Sequence, residues 1–278
     1  MGGRETMVVR QTPLRRRLSL ALAGLAMAVT PALAQTPAAP STLAEAWLAQ
    51  LETDNSPLIW SYSVALRQDT AATLPARQGR LLAELDTLMA SATISGNVAL
   101  AAGLVSWREI LAEDAPLTGR TPGRVDLAWL GANLRSNPPL ASLTHWGHCQ
   151  VPGWVEVWGL DGVERRPWRG GLDLTQLVNA LPAAAIQNAD TVAVIDPLGQ
   201  IRRLGIAAWN RDNTPLAPGS RLMVQLPSRQ GLRSALPFPG TTVESDLINA
   251  RLPAYLATRL PGDSCRLQGI KDEQRNEP

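Results

Sequence analysis

The apolar positions of this chain change period repeatedly along its length. Leu43, Trp47, Leu48 and Leu51 recur at helical spacing and predict a short helix over residues 42–51. Residues 57–65 are apolar without a period, and Trp60 and Tyr62 are expected to be buried there. From residue 76 to 111 the spacing is helical in two blocks. The first runs through Leu81, Leu85 and Leu88, the second through Leu100, Leu104, Trp107 and Leu111. Ser95-Gly96-Asn97 between them supplies a break and a helix cap, so the two blocks predict an antiparallel helical hairpin.

After Pro116 the periodicity shortens. Residues 125–130 and the flanking turns, Thr118-Gly119-Arg120 and Ser136-Asn137-Pro138-Pro139-Leu140, predict short strands joined by tight turns. Residues 151–160 alternate and predict a half-buried strand that ends at the turn dipeptide Asp161-Gly162. Leu174, Leu177, Val178 and Leu181 share one helix face. Residues 190–226 then give a strand, the turn Asp196-Pro197-Leu198-Gly199 and a second strand. A pause at Trp209-Asn210, the turn Pro218-Gly219-Ser220 and a last strand complete the stretch. Residues 244–260 predict a closing amphipathic helix through Leu247, Ile248, Leu252, Tyr255 and Leu256, which Pro253 should kink or restart. Strands and helices in this order give an α+β fold.

Composition changes the picture at the start of the chain. Arg15-Arg16-Arg17, a short apolar run and Ala32-Leu33-Ala34 predict a Sec-type signal peptide over residues 1–34, with a twin-arginine route as the lesser alternative. The apolar run is too short to span a bilayer, which takes about 20 residues. Residues 35–41 form a proline–alanine leader. Residues 1–34 carry five arginines and one glutamate, so a formal +2 becomes 21 basic against 23 acidic residues, or −2, after cleavage. A slightly acidic chain without a basic run is not built for nucleic acid. Lys271 is the single lysine, so an arginine here is not in itself a sign of phosphate contact.

Candidate chemistry is sparse. There is no P-loop, no G-x-G-x-x-G, no G-x-S-x-G and no acidic metal cluster, so no cofactor or metal is expected and classical catalysis is poorly supported. Arg120 follows a glycine, and its planar fork suits carboxylates, phosphates and acidic sugars. The alternative is a structural arginine bound to carbonyls or to a carboxylate such as Asp126 or Glu113. Trp129, Trp146, Trp154, Trp158 and Trp168 crowd the middle of the chain; Trp129 and Trp158 are the candidates for stacking on sugar rings, against a bland role in packing. Trp209 reads as structural. His145, His148 and Cys149 with Cys265 carry enough ligands for zinc, but the spacing is no known signature, and an exported chain more naturally forms a Cys149–Cys265 disulfide; free thiols remain the third option.

Taken in order, these landmarks resemble the GfcC-like periplasmic proteins of capsule and exopolysaccharide biosynthesis. They are the exported start, the hairpin, Thr118-Gly119-Arg120, the Ser136–Leu140 turn, Trp209-Asn210, Pro218-Gly219-Ser220, and Ile248-Asn249 leading to Arg259-Leu260-Pro261. The resemblance implies two β-grasp domains similar to the soluble-ligand-binding modules of outer-membrane polysaccharide exporters. On it, residues 57–147 form the first domain with the hairpin inserted at 76–114, residues 148–230 the second, 231–261 the C-terminal amphipathic helix and 262–278 a flexible tail. The disulfide would then tie the terminal helix region to the start of the second domain.

The resemblance also implies a periplasmic accessory protein that binds glycan or an exporter component in an inter-domain cleft lined by Arg120; the sequence leaves its oligomeric state open, with a monomer favoured. Its closing helix would offer a peripheral membrane contact. A polysaccharide-cleaving or -modifying enzyme using the same cleft is the alternative. The chain departs from the family pattern twice: no opening strand is visible in residues 35–50, and Pro253 interrupts the last helix.

Overall fold

A computed structural model describes residues 39–54, 57–115, 118–232 and 243–269. The signal-peptide reading and most of the leader lie outside the described residues. Helix α1 (Leu43–Thr53) opens the described chain. Its start is set by a capping box in which the Thr42 side chain accepts from the Glu45 amide and Glu45 reaches back. Asn137 Oδ1 accepts from the Ala44 amide at 3.1 Å, so the Ser136–Leu140 turn serves as a second cap from across the chain.

Strand β1 (Ser63–Arg67) follows, and then the hairpin α2 (Gln68–Ile94) and α3 (Val98–Glu113). Asn97 caps α3 by accepting from the Leu100 amide. Helix α2 begins two turns before the predicted start and runs through Pro75. Ala71 and Leu74, buried with Leu66, hold the early turns in place against the missing hydrogen bond.

The strand predicted for residues 125–130 is instead helix α4 (Leu127–Ala132). Asp126 accepts from the Trp129 amide at 3.0 Å, and this cap outweighs the local apolar alternation. Strands β2 (Leu143–Cys149), β3 (Trp154–Gly159) and β4 (Gly162–Pro167) come next, followed by helices α5 (Leu174–Ala180) and α6 (Ala183–Ile186). Strands β5 (Thr191–Ile195), β6 (Ile201–Gly205) and β7 (Arg221–Val224), helix α7 (Glu244–Leu256) and strand β8 (Cys265–Gly269) complete the described chain.

The strands form two sheets, so the fold is mixed α+β. One has three strands in the order β1-β2-β8, all antiparallel. The other has five in the order β4-β3-β7-β5-β6, with one parallel pair, β3 with β7, at its centre. Val192 to Ile195 of β5 and every residue of β7 are buried, so both faces of the larger sheet are covered at its middle strands. The main core joins that sheet to α2, α3, α5 and α7. A second cluster packs Leu43 and Trp47 of α1, Leu130 of α4 and Trp146 of β2, with Trp47 and Trp146 edge to face at 4.6 Å.

Two expectations about the C-terminal region are corrected. The tail is not wholly loose: β8 pairs with β2, and Cys149, directly opposite Cys265, is joined to it by a disulfide. That bond therefore lies inside the three-stranded sheet, and the expected boundary at 147/148 falls within β2. The closing helix is the second correction. Ile248, Leu252, Tyr255 and Leu256 are buried in the main core and Leu247 is half-buried, so its apolar side packs mainly against protein. Among the described residues no helix is long and apolar enough to cross a bilayer.

Close backbone approach fixes how the hairpin meets the larger sheet. A Cβ on Gly103 of α3 would stand 2.0 Å from the carbonyl oxygen of Leu160, at the β3–β4 turn. In an open helix Gly→Ala gains about 1 kcal/mol; here overpacking against backbone, which costs roughly 1–3 kcal/mol, has the opposite sign. Gly103→Ala is expected to lower the urea midpoint, with a net loss of about 1 kcal/mol. A rise in the midpoint would show that the hairpin can slide on the sheet.

Candidate functional site

Arg120 is 1 % exposed. Its Nε donates to the carbonyl of Ala257 at 3.1 Å, Nη1 donates to the carbonyl of Pro197, and Nη2 reaches the carbonyl of Asp196 at 3.5 Å. Its own amide donates to the Thr258 carbonyl at 2.6 Å. Burial, and then the neighbouring Arg221, push the guanidinium down to about 9, so it stays charged at neutral pH with carbonyl oxygens in place of water. The expected ligand anchor is thus a pin between the end of α7 and the β5–β6 turn. Neither suggested carboxylate partner is used: Asp126 pairs with Arg124, and Glu113 is exposed on α3.

The segment around Arg120 separates two depressions. Thr118 and Gly119, on one side, line a small polar pocket of about 150 Å³ with Arg165, Arg221, Tyr255 and Arg259. Every arginine in it is engaged. Glu156, buried on β3, accepts from Arg221 Nε at 3.2 Å, Arg259 Nη1 at 3.0 Å, Arg165 Nε at 3.4 Å and Trp158 Nε1 at 2.9 Å. Arg259 also bonds Asp114, whose other oxygen accepts from the Tyr255 hydroxyl at 2.8 Å. Arg165 grips Asp263 through both terminal nitrogens, at 2.9 and 3.0 Å. Burial alone would raise the Glu156 carboxyl, but Arg221 and then Arg259 outweigh it and hold it below the usual carboxylate range. The pocket is smaller than the 300 Å³ or so that ligand sites usually offer, and its charges satisfy one another.

Thr121 to Val125, on the other side, line a groove of about 560 Å³, a ligand-sized space. Its floor is Ala65 of β1 and Leu143 of β2, both buried. Arg67 stands at the end of β1, Arg124 in the loop, Arg135 after α4, and Gln200 just before β6. All four are exposed. Trp129 of α4 lines the same groove and is half-buried; its indole N–H donates to no group among the described residues. Arg124 is held by Asp126 through two contacts, at 2.9 and 3.0 Å, while Arg67 and Arg135 have no carboxylate partner among the described residues.

The tryptophans divide accordingly. Trp158 is fully buried, edge to face with Trp107 at 5.7 Å, which removes it as a sugar platform: its ring completes the packing of α3 on the larger sheet. Trp146 is buried, Trp168 donates to the Leu216 carbonyl, and Trp154 is covered by the guanidinium of Arg165 at 4.2 Å. Trp129 is the one of the five that lines the groove. Trp209, read as structural, is 78 % exposed; the landmark works through Asn210, whose side chain donates to the Asp190 carbonyl.

His145 and His148 lie three positions apart on β2 and so point to opposite faces. His145 Nε2 donates to the Gly119 carbonyl at 2.8 Å, and His148 Nδ1 is buried without a partner. With Cys149 in a disulfide, these residues do not form a metal cluster, and none is found among the described residues. The groove residues Arg67, Arg135 and Gln200 were not visible as a group in the sequence, because three separate elements bring them together. Asp126-x-x-Trp129, a cap signature, is the one local signal that could have placed α4 and its tryptophan.

Residues 163–261 match the family model described as capsule biosynthesis GfcC C-terminal, and this supports a GfcC-like assignment. The matched span runs from β4 through α7. It takes in Asn249, whose side chain closes two bonds, 2.8 and 2.9 Å, onto the backbone of Leu226 beyond β7.

Two outcomes test these assignments. Arg120→Ala leaves the carbonyls of Ala257 and Pro197 buried without a donor, and is expected to cost about 2–4 kcal/mol in urea unfolding. Arg120→Met, which keeps the volume, should lose most of the same amount; an unchanged midpoint in both would refute the pin. The histidines set a pH dependence. Burial lowers both pKa values in the fold, outweighing the Gly119 bond at His145 and aided by Arg266 at His148. The unfolded chain, near 6.5, therefore binds more protons below that pH. Stability should be full above about pH 6.5 and fall as the pH drops through the lowered folded values. His148→Gln should flatten that slope in urea midpoints taken from pH 7.5 to 5; an unchanged slope would remove His148 as a cause.

Proposed function

From the GfcC-like assignment, which implies a role in capsule biosynthesis or export, we propose that this protein is a periplasmic accessory factor that binds glycan in the groove beside Arg120. The observation that carries the reading is Trp129, a partly exposed indole lining a ligand-sized groove among guanidinium, hydroxyl and amide groups. Indole faces take the C–H bonds of sugar rings, and the surrounding donors fix hydroxyls and acidic groups. Among the described residues no carboxylate or imidazole lines the groove, so its chemistry favours recognition over bond cleavage, which needs a pair of carboxyls across the sugar. Arg120 acts as a positioning residue: its bonds set the path of Thr121 to Val125.

The domain reading is part of the proposal. In chain order the larger sheet runs β3, β4, α5, α6, β5, β6, β7, and its central parallel pair joins its first and last strands. This supports a β-grasp module. The three-stranded sheet, carrying the hairpin between β1 and β2, is proposed as a reduced first module that β8 returns to complete. The signal peptide over residues 1–34 and its cleavage near Ala34 supply the periplasmic location. An exporter component is the second class of partner that the family role admits.

Trp129→Ala is expected to weaken binding of the cognate polysaccharide by about tenfold, the equivalent of about 1.4 kcal/mol. The far-ultraviolet circular dichroism should be unchanged and surface polysaccharide reduced in a strain carrying the variant. Unchanged affinity and unchanged export, with the protein folded, would sink the groove as the glycan site.

A further inference from the structure

The cations of the groove go beyond what a neutral sugar chain needs. We infer that its ligand is an acidic glycan, a sugar chain bearing anionic groups, held by Arg67 and Arg135 together with the indole of Trp129. This inference rests on the reading of the groove as a glycan site.

The argument is one of charge. Among the described residues three guanidiniums, Arg67, Arg124 and Arg135, line the groove, and no carboxylate does. Three carboxylates occur in the flanking segments, and all three accept hydrogen bonds; Asp69, two residues after Arg67, accepts from the Thr70 amide at 2.5 Å and from its hydroxyl at 3.2 Å. Asp126 is bonded to Arg124 and caps α4 through the Trp129 amide. Asp196 Oδ1 accepts from the amides of Leu198 and Gln200, at 2.9 and 2.8 Å. Setting Asp126 against Arg124 leaves Arg67 and Arg135, which line one space of about 560 Å³, without an ion-pair partner among the described residues. The smaller pocket makes the contrast: there each arginine has found a carboxylate of the chain itself.

Like charges gathered without a counter-ion repel, and a bound anion relieves that repulsion while forming charge-assisted bonds with both forks. Arg67 and Arg135 are fixed at their bases by β1 and by the turn after α4, so they approach from two elements. A chain with a repeating acidic substituent fits that arrangement better than a single small anion, because the indole of Trp129 in the same groove adds a surface for the sugar ring.

The test is titration calorimetry on the full chain with an oligogalacturonate, a neutral galactan oligomer of equal length, and inorganic phosphate. The oligogalacturonate is expected to bind at least about tenfold tighter than the neutral oligomer, and to weaken as salt is added. Arg67→Gln and Arg135→Gln should each reduce its affinity about three- to tenfold. Arg202→Gln, an exposed change on β6 outside the groove, should leave it as it is. Equal affinity for the two oligomers would overturn the acidic inference and keep the glycan site. Phosphate binding as tightly as the oligogalacturonate, with the same arginine dependence, would overturn it in favour of a plain anion site. If neither oligomer bound, the inference and the glycan reading of the groove would fall together.

Discussion

A single buried cation organises the middle of this molecule. Arg120 lies where the connection from α3 to α4 crosses the end of α7 and the β5–β6 turn, and its fork is satisfied by backbone carbonyls. A guanidinium in that place must be fully bonded, because an unpaired buried charge costs several kcal/mol. The requirement is met only when all three elements are in register. Segment 121–125 then emerges on a fixed path, and that path is one wall of the groove. Gly119, the residue before it, is held from the other side by His145. The ligand face is thus built from the outside of a structural joint.

The second constraint is the cluster around Glu156. It brings together β3, β7, the residues after α7 and the residue after α3, so the larger sheet, the hairpin and the closing helix share one electrostatic centre. Buried networks of this kind contribute more to uniqueness of packing than to net stability, since desolvation offsets much of the attraction. Here it also has a functional consequence. By engaging Arg165, Arg221 and Arg259 internally, it leaves the smaller pocket without free charge and directs attention to the groove.

Elements with strong periodicity were legible in the sequence. The hairpin, the alternating strand at residues 154–159 and the strand–turn–strand unit at 191–205 stand near their predicted places, because burial of one face dictates the spacing. What was hidden depended on partners far away in the chain. Pro75 stays inside α2 because of Ala71, Leu74 and Leu66, and residues 127–132 are helical because one aspartate caps them. Residues 265–269 carry almost no apolar signal; β2 and the disulfide make them a strand. The family landmarks proved to mark joints. Asn137 caps α1, Asn249 clamps the chain beyond β7, and Gly219, at φ +76° with its would-be Cβ 2.3 Å from the Pro261 carbonyl, admits no larger side chain.

The site itself was harder to see for a chemical reason. With Lys271 as the one lysine, arginine must serve both as internal cation and as surface cation. The side chains are identical, so residue type cannot separate Arg120 and Arg221, which are buried, from Arg67 and Arg135, which face the groove. The distinction arises from what each fork meets. Where a carboxylate or a set of carbonyls lies within reach, the guanidinium becomes part of the frame, as at Glu156 or Ala257. Where the chain offers neither, the fork remains open to solvent and its charge is available to a ligand. In a protein this poor in lysine, exposed arginines without a carboxylate partner, such as Arg67 and Arg135, carry more information about binding than buried ones such as Arg120 and Arg221.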